Sequence, residues 1–277
     1  MRSALCATLI PVATVACAIG HAGPSDRRFS EKVQTPIQHT LEASRSLVVE
    51  YLDGSITVEG TSGGHVVVTG TRTDHASSAA KLAEAAQEVK VLAEAKDGAA
   101  RIVVDGPWKR THPRHRDRWG QDYRVVTDLQ VKVPAEAEVT LTAVNGGTMV
   151  VRNVRGTLKV TNVNGSIQSE GLAGGARLTT VNGSIEASYA QAPAAPTTLT
   201  TVNGNVKLKA PASFSADLKL STIHGEMVTN FPFTYTDGKS DDDKPFKIPG
   251  FARKIRIGQG GPAFTCTTVN GDLVLQH

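Results

Sequence analysis

Cysteine is scarce in this chain of 277 residues, which contains only Cys6, Cys17 and Cys266. The first two lie in the apolar segment at the N-terminus, so Cys266 alone is expected in the folded domain. A framework of intramolecular disulfides is therefore excluded. Aromatic residues are also few, at 5% of the chain, whereas Val, Thr, Ala and Gly are plentiful. This composition favours many short strands and tight turns over a core of large side chains.

Long apolar runs are absent except at the N-terminus. Arg2 precedes an uncharged run from Ala4 to Ile19, and the small residues at 20–22 follow it. The pattern predicts a cleaved signal peptide over 1–22, because the run is too short to favour a membrane-spanning helix. Residues 14–17 loosely resemble a lipoprotein cleavage box, so lipidation of Cys17 is an alternative. We expect an exported protein that is periplasmic, attached to the cell envelope or secreted.

A short motif recurs along the second half of the chain. Its copies read AVNGGTMV, NVNGSIQS, TVNGSIEA, TVNGNVKL, TIHGEMVT and TVNGDLVL. The turn residues are 19, 18, 21, 21 and 46 residues apart, and they are Asn145, Asn164, Asn182, Asn203, His224 and Asn270. A nearly constant period is typical of stacked repeats, because one repeat cannot bury its apolar face alone. The longest gap holds one coil of the repeat and a long insertion, which we place at 231–252.

Equivalent positions of the repeat predict which side chains face the core. Four residues before the turn residue the chain has Leu141, Val160, Leu178, Leu199, Leu220 and Cys266. Directly before it stand Val144, Val163, Val181, Val202, Ile223 and Val269. Both columns are expected to point inward, which makes Cys266 a buried core thiol. A third column is expected to point outward, and it comprises Thr142, Thr161, Thr179, Thr200, Ser221 and Thr267. The Asn-Gly pair is a strong turn signal because both residues tolerate positive φ.

The first half of the chain repeats this theme less regularly. Residues 76–88 predict one short helix, with Asp74 available as its N-terminal cap. A β-hairpin with Asp97-Gly98 at its tip is expected to follow. We therefore expect a mainly β protein, a β-solenoid or β-helix-like stack of repeats. Its single domain, 23–277, would consist of an irregular part, 23–128, and a regular part, 129–277.

The order of these elements resembles a family of bacterial exported proteins. A strand, a helix and a hairpin are followed by VKVP, then by the VNG repeats, and the chain closes with IGQGGPAFTCTTVNGDLVL. The family is known as a domain of unknown function, and its members are described as candidate adhesins with β-strand repeats. The resemblance covers most of the chain beyond the signal peptide. It implies a β-solenoid-like fold at the cell envelope and brings no established catalytic residue or ligand.

The turn residues are the first candidate functional feature. In a stack they would lie along one edge, where side-chain amides can hydrogen-bond from repeat to repeat. We interpret them mainly as a structural turn ladder. The alternative is a polar stripe that binds glycans.

A basic loop over 106–124 is the second candidate. It combines six cationic residues with two acidic ones, so its charge of six minus two, +4, equals that of the whole chain. Such a loop can attract polyanionic envelope glycans, and nucleic acid is not expected because the chain is exported. A solvated hairpin loop is the alternative. The proposed binding residues are Trp108, Lys109, Arg110, Arg114, Arg116, Arg118 and Trp119.

Metal and catalytic signals are weak throughout the chain. His112 and His115 lack a third ligand, and the acidic residues at 237–243 do not match a calcium loop, so we predict neither a metal nor a cofactor. Converging carboxylates and nucleophile motifs are also lacking. We predict a non-catalytic, adhesin-like envelope protein that presents a repeat surface for binding or scaffolding. The alternatives are a carbohydrate-active β-helix enzyme and a stress or regulatory component that binds another envelope protein.

Overall fold

The computed structural model describes residues 29–42, 45–50, 53–109, 122–193, 195–236, 247–248 and 251–277. The predicted signal peptide, Cys17 and the acidic residues at 237–243 lie outside these ranges. Within them the chain forms one α-helix, α1 (Ala79–Glu88), and a turn of 3₁₀ helix at Pro107–Lys109. The strands are β1 (Glu31–Leu41), β2 (Ser46–Glu50), β3 (Ile56–Thr61), β4 (Val66–Ala76), β5 (Lys90–Lys96), β6 (Ala99–Asp105), β7 (Tyr123–Pro134), β8 (Glu138–Thr142), β9 (Met149–Arg152), β10 (Leu158–Thr161), β11 (Ile167–Leu172), β12 (Ala176–Thr179), β13 (Ile185–Tyr189), β14 (Thr197–Thr200), β15 (Val206–Lys209), β16 (Ala216–Ser221), β17 (Met227–Thr229), β18 (Phe233–Tyr235), β19 (Lys247–Ile248), β20 (Ala252–Ile257), β21 (Ala263–Thr267) and β22 (Leu273–Gln276).

These strands form two sheets of eleven strands each. Sheet A has the order β1-β4-β7-β3-β9-β11-β13-β15-β22-β17-β19, and sheet B has the order β18-β20-β16-β21-β14-β12-β10-β8-β2-β6-β5. In every coil but one a strand of sheet B leads through a corner into a strand of sheet A, and in the remaining coil residues 106–122 join β6 to β7. Eight coils stack in the described part of the chain, and their order is β6–β7, β2–β3, β8–β9, β10–β11, β12–β13, β14–β15, β21–β22 and β16–β17. The predicted mainly β, solenoid-like fold is confirmed.

The spatial order of the coils departs from the order in the sequence at the C-terminal end. Coil β21–β22 lies between β14–β15 and β16–β17, with Cys266 paired with both Leu199 and Leu220. The intervening segment supplies β18, β19 and β20, which pair antiparallel at that end of the stack. Antiparallel strands also close the other end, because β4 and β1 follow β7 in sheet A and β5 follows β6 in sheet B.

The core lies between the two sheets, and one predicted column does not face it. The residues directly before the turn point outward: Val144 is 39% exposed, Val202 is 37% exposed and Ile223 is 50% exposed. The prediction that they face inward is wrong because the alternation of a strand continues into the corner. The inward position is the one before them, where four threonines are buried: Thr180, Thr201, Thr222 and Thr268.

Each of these buried threonines is hydrogen-bonded to the neighbouring coil. The Thr201 hydroxyl donates to the carbonyl of Gly183 over 2.7 Å, and Thr180 donates to Gly165 over 2.9 Å. The corner itself requires glycine at Gly204, whose φ is +152° and whose added Cβ would lie 2.2 Å from the Gly183 oxygen. The turn asparagines do not share this positive φ, which among described non-glycine residues occurs only at Asp97 and Asn153. In the Asn-Gly pairs of four corners only the glycine therefore uses the backbone freedom on which the turn prediction relied, and these glycines are Gly165, Gly183, Gly204 and Gly271.

The helix of the N-terminal half begins later than predicted. Its N-terminal cap is Ser78, whose side chain accepts a hydrogen bond from the backbone of Lys81. Asp74 lies in β4 and forms an ion pair with Arg72 over 2.7 Å, so it does not cap the helix. The Arg72 guanidinium also donates to the Ala85 carbonyl at the end of α1. No helix among the described residues is long and apolar enough to span a membrane.

Candidate binding surface at the corner edge

The corners from sheet B to sheet A lie above one another and form one edge of the solenoid. We call this edge, with the turn residues that mark it, the corner edge. Isolated bridges connect successive corners: Asp53 with Asn145, Asn164 with Asn182, Asn182 with Asn203, Asn203 with Asn270, and Asn270 with His224. His224 therefore lies at the end of the series, because the coil of Asn270 is inserted before it.

The asparagine side chains along this edge form a continuous hydrogen-bonded ladder. The Nδ2 of Asn164 donates to Oδ1 of Asn145 over 2.9 Å, and the same contact joins Asn182 to Asn164 over 2.9 Å. Asn203 donates to Asn182 over 2.8 Å, and Asn270 donates to Asn203 over 2.7 Å. All the amides therefore point the same way along the stack.

His224 terminates this ladder. Its Nδ1 lies 3.0 Å from Oδ1 of Asn270. Because the Nδ2 of Asn270 already donates to Asn203, the Asn270 oxygen must accept, and the Nδ1 of His224 must carry the proton. The ring nitrogen Nε2 takes no part in this contact. The histidine thus fits the ladder as a donor, which explains how it replaces asparagine in this one corner.

The corner edge offers three parallel rows of side chains to solvent. An interior asparagine uses one of its two N–H groups and one oxygen lone pair in the ladder, so one donor and one acceptor per coil remain. A methyl row, formed by the outward Val and Ile residues, runs beside the amides. A hydroxyl row follows on sheet B. Six corners at the strand spacing give rows about 24 Å long. The members of the hydroxyl row are Thr142, Thr161, Thr179, Thr200, Thr267 and Ser221.

The stems of the basic loop adjoin the first corner of this edge. The loop connects β6 to β7, which are the outermost parallel strands of the stack. Arg124, at the start of β7, donates from Nε and Nη2 to the two oxygens of Asp53 over 2.6 and 3.0 Å. Asp53 is bridged in turn to Asn145. The basic loop and the row of turn residues, which the sequence suggested as separate candidates, are therefore neighbours in space.

The described residues include two of the predicted binding residues of this loop. Trp108 is half-buried, packs against the core, and its ring lies where a side chain on Gly106 would be. The position of Lys109 is described for its backbone alone. Outside the described residues lie Arg110, Arg114, Arg116, Arg118 and Trp119.

The insertion meets the opposite end of the corner edge. Phe251 is 71% exposed, and its carbonyl accepts a hydrogen bond from the backbone of Thr222 over 2.9 Å, next to the His224 corner. The two irregular segments of the chain thus adjoin the two ends of one surface. The pairing of distant strands produces this arrangement, and nothing in the sequence alone signals it.

Reactive groups are few in the described part of the chain. No cluster of three His, Cys, Asp or Glu residues suited to a metal occurs there. Cys266 is buried, and its burial raises the pKa of the thiol to about 12, so it is not a nucleophile at neutral pH. The Lys209 ammonium, 2.8 Å from Glu186, holds the pKa of that carboxyl below its usual value. Glu170 pairs with Arg152 over 3.1 Å.

The family of the chain follows from its match to a family model. Residues 33–248 match the model of the Toastrack family, DUF4097. The match covers more than half of the chain and includes both the irregular and the regular parts. The chain belongs to this family, as the resemblance of its sequence led us to expect. No curated protein matches the chain.

Several solved structures are similar to this chain over most of its length. A candidate cell adhesion protein from Clostridium sporogenes is 10% identical, with a TM-score of 0.45, covering 88% of this chain and 99% of that one. A candidate adhesin from Bacteroides fragilis is 7% identical, with a TM-score of 0.39, covering 88% and 96%. A candidate lipid-binding protein from Parabacteroides distasonis is 7% identical, with a TM-score of 0.30, covering 87% and 96%. At such low TM-scores these likenesses support no conclusion about function.

Proposed function

We propose that this protein is an exported, non-catalytic, adhesin-like component of the cell envelope that binds a surface glycan along its corner edge. The observation that carries the proposal is the amide ladder with its unused hydrogen-bonding capacity. Asn164, Asn182 and Asn203 each form two ladder contacts and retain one donor and one acceptor. A sugar hydroxyl is both a donor and an acceptor, so each coil can engage one hydroxyl of an extended glycan.

The setting of the ladder supports a binding role. Its side chains are held in place by their neighbours, so a ligand would not have to order them, and little conformational entropy would be lost on binding. The methyl row beside the ladder gives apolar contact without large aromatic residues. The family match supports an adhesin-like protein and names neither a ligand nor a reaction.

The basic loop would extend this surface for polyanionic glycans. Its stem contacts the first corner through the Arg124–Asp53 ion pair. Cationic side chains that follow such a stem would attract phosphate or carboxylate groups of the same ligand. Under this proposal, neutralising Arg114, Arg116 and Arg118 weakens binding to charged glycans and leaves binding to neutral ones unchanged.

Retention on immobilised envelope polysaccharide tests the proposal. Val181→Glu with Val202→Glu places two carboxylates beside the amide row at exposed positions. We expect this double variant to lose retention while its thermal unfolding changes little. The matched control is Val150→Glu with Val274→Glu, which adds the same charge to the outer face of sheet A.

Three outcomes of this experiment would count against the proposal. They are equal retention of both double variants, no retention of the wild type, and hydrolysis or elimination of the polysaccharide during incubation. Capture of an envelope protein with no retention on polysaccharide would favour a protein-binding role. Fractionation of the native host, with detection of the mature protein in each fraction, tests the proposed location.

A further inference from the structure

Like charges stand opposite each other at two places on the outer face of sheet B. Lys159 of β10 is paired in register with Arg177 of β12, and both side chains are exposed to solvent. Lys219 of β16 is paired in register with Lys254 of β20. Like charges directly opposite on a sheet are destabilising, so each pair has a cost in folding free energy.

The other sheet of the same solenoid avoids this arrangement. On sheet A, Arg152 is flanked in register by Glu59 and Glu170, and Lys207 is paired with Glu186. The cations there form ion pairs of 3.1 Å and 3.8 Å. Cross-strand charge complementarity is therefore available to this fold.

None of the four sheet B cations forms an ion pair with another described residue. Nearby, Asp217 binds Arg256 over 2.7 Å, and Glu50 binds Arg101 over 3.3 Å. Those acids are consequently occupied. The four cations lie in one column, whose members in spatial order are Lys159, Arg177, Thr198, Thr265, Lys219 and Lys254.

The spacing of this column fits a linear ligand. The centres of the two cationic pairs are four strand spacings apart, about 19 Å. Hydroxyls of Thr198 and Thr265 lie between them, and the six-member hydroxyl row runs parallel to the column at two residues' distance along each strand. The strands of this face are short and in register, and this column has no apolar side chain that could enter a lipid bilayer.

We infer that the outer face of sheet B binds a linear, carboxylate-bearing polysaccharide across the strands, with the Lys159–Arg177 and Lys219–Lys254 pairs as its two anion sites. Carboxylates of the glycan would neutralise each pair, and the threonine hydroxyls would bind sugar hydroxyls between them. This site goes beyond the proposed function, because it lies on another face than the amide ladder. The proposal of each site can therefore be confirmed or refuted independently of the other.

Binding of the mature protein to polygalacturonate, dextran and phosphatidylglycerol vesicles tests the inference, measured by calorimetry at low and physiological salt. We expect binding to polygalacturonate and none to dextran at this face. Lys159→Gln with Arg177→Gln, or Lys219→Gln with Lys254→Gln, should weaken binding by about tenfold or more. The control Lys132→Gln with Lys207→Gln removes the same charge from sheet A and should weaken it much less.

A second readout separates a binding role from a structural one. Because each sheet B pair is repulsive, both glutamine double variants should unfold at the same temperature as the wild type or a higher one. Lower unfolding temperatures with unchanged binding would overturn the inference, as would an equal loss in the control or tighter binding to vesicles than to polygalacturonate. Absence of binding to polygalacturonate would overturn it as well. The glutamine double variants should weaken polygalacturonate binding by the same factor when Asn182→Ala and Asn203→Ala are also present, which keeps this test separate from that of the amide ladder.

Discussion

Replacing Thr201 with valine should destabilise the solenoid, although valine has almost the same shape. Thr201 is 1% exposed, and its hydroxyl donates to the Gly183 carbonyl of the next coil over 2.7 Å. Loss of the donor leaves the partly buried Gly183 carbonyl unpaired, which costs about 1–3 kcal/mol. The added methyl group recovers about 0.8 kcal/mol through burial. The expected net loss is therefore about 0.2–2 kcal/mol, or a fall in Tm of up to roughly 8 °C for a domain of this size.

Urea and thermal denaturation followed by circular dichroism measure this loss. The matched control is Thr200→Val, one residue earlier, where the side chain is half-buried and points outward. That variant should stay within about 0.5 kcal/mol of the wild type. If Thr200→Val were the damaging change and Thr201→Val were neutral, the inward and outward faces of the corner would be reversed. The hydrogen bond from coil to coil would then not stabilise the solenoid.

Two further predictions concern the corner and the core. Gly204→Ala would place a Cβ 2.2 Å from a carbonyl oxygen, so it should lower the free energy of unfolding by more than about 2 kcal/mol or prevent folding. The control Gly64→Ala, in open space, should not destabilise the protein. Equal unfolding temperatures of the two variants would contradict the corner geometry. Burial raises the pKa of the Cys266 thiol from 9.0 to about 12. Between these two pH values the folded protein keeps a proton that the unfolded chain releases. The free energy of unfolding therefore falls as the pH rises from 9.0 to about 12. Relative to Cys266→Val, the wild type should lose about 1.4 kcal/mol per pH unit above pH 9 in urea denaturation; parallel pH profiles would contradict the burial of the thiol.

The sequence predicted the repeat more reliably than it predicted the direction of each side chain. The spacing of the turn residues gave the coils, and the column ending in Cys266 faces the core as expected. The sequence predicts the wrong face for Val202 and its equivalents, because an apolar residue next to a turn suggests burial. The alternation of side chains along the strand buries Thr201 and therefore points Val202 outward. An apolar residue on an exposed corner gives no signal of its own in a single sequence.

The positions of whole coils depended on interactions that are distant in the chain. The coil of Asn270 follows that of His224 in the sequence, but in the structure β21 and β22 lie between two earlier coils. The spacing of the repeats in the sequence does not indicate such an insertion. A parallel strand on either side of β16 would form equivalent backbone hydrogen bonds with it. Similarly, the predicted asparagine ladder followed from the repeat, whereas its contact with the basic loop depends on the pairing of β6 and β7 outside β2 and β3.

The most direct test of the central claim is a titration of ¹⁵N-labelled protein comprising residues 23–277 with polysaccharide purified from the host envelope. The asparagine side-chain amides are followed by NMR. If the corner edge is the binding surface, the side-chain resonances of Asn164, Asn182 and Asn203 should shift together and saturate at one affinity. The side-chain amide of Gln168, on the outer face of sheet A, should remain unchanged. Binding that leaves the three asparagine amides unperturbed would contradict the account.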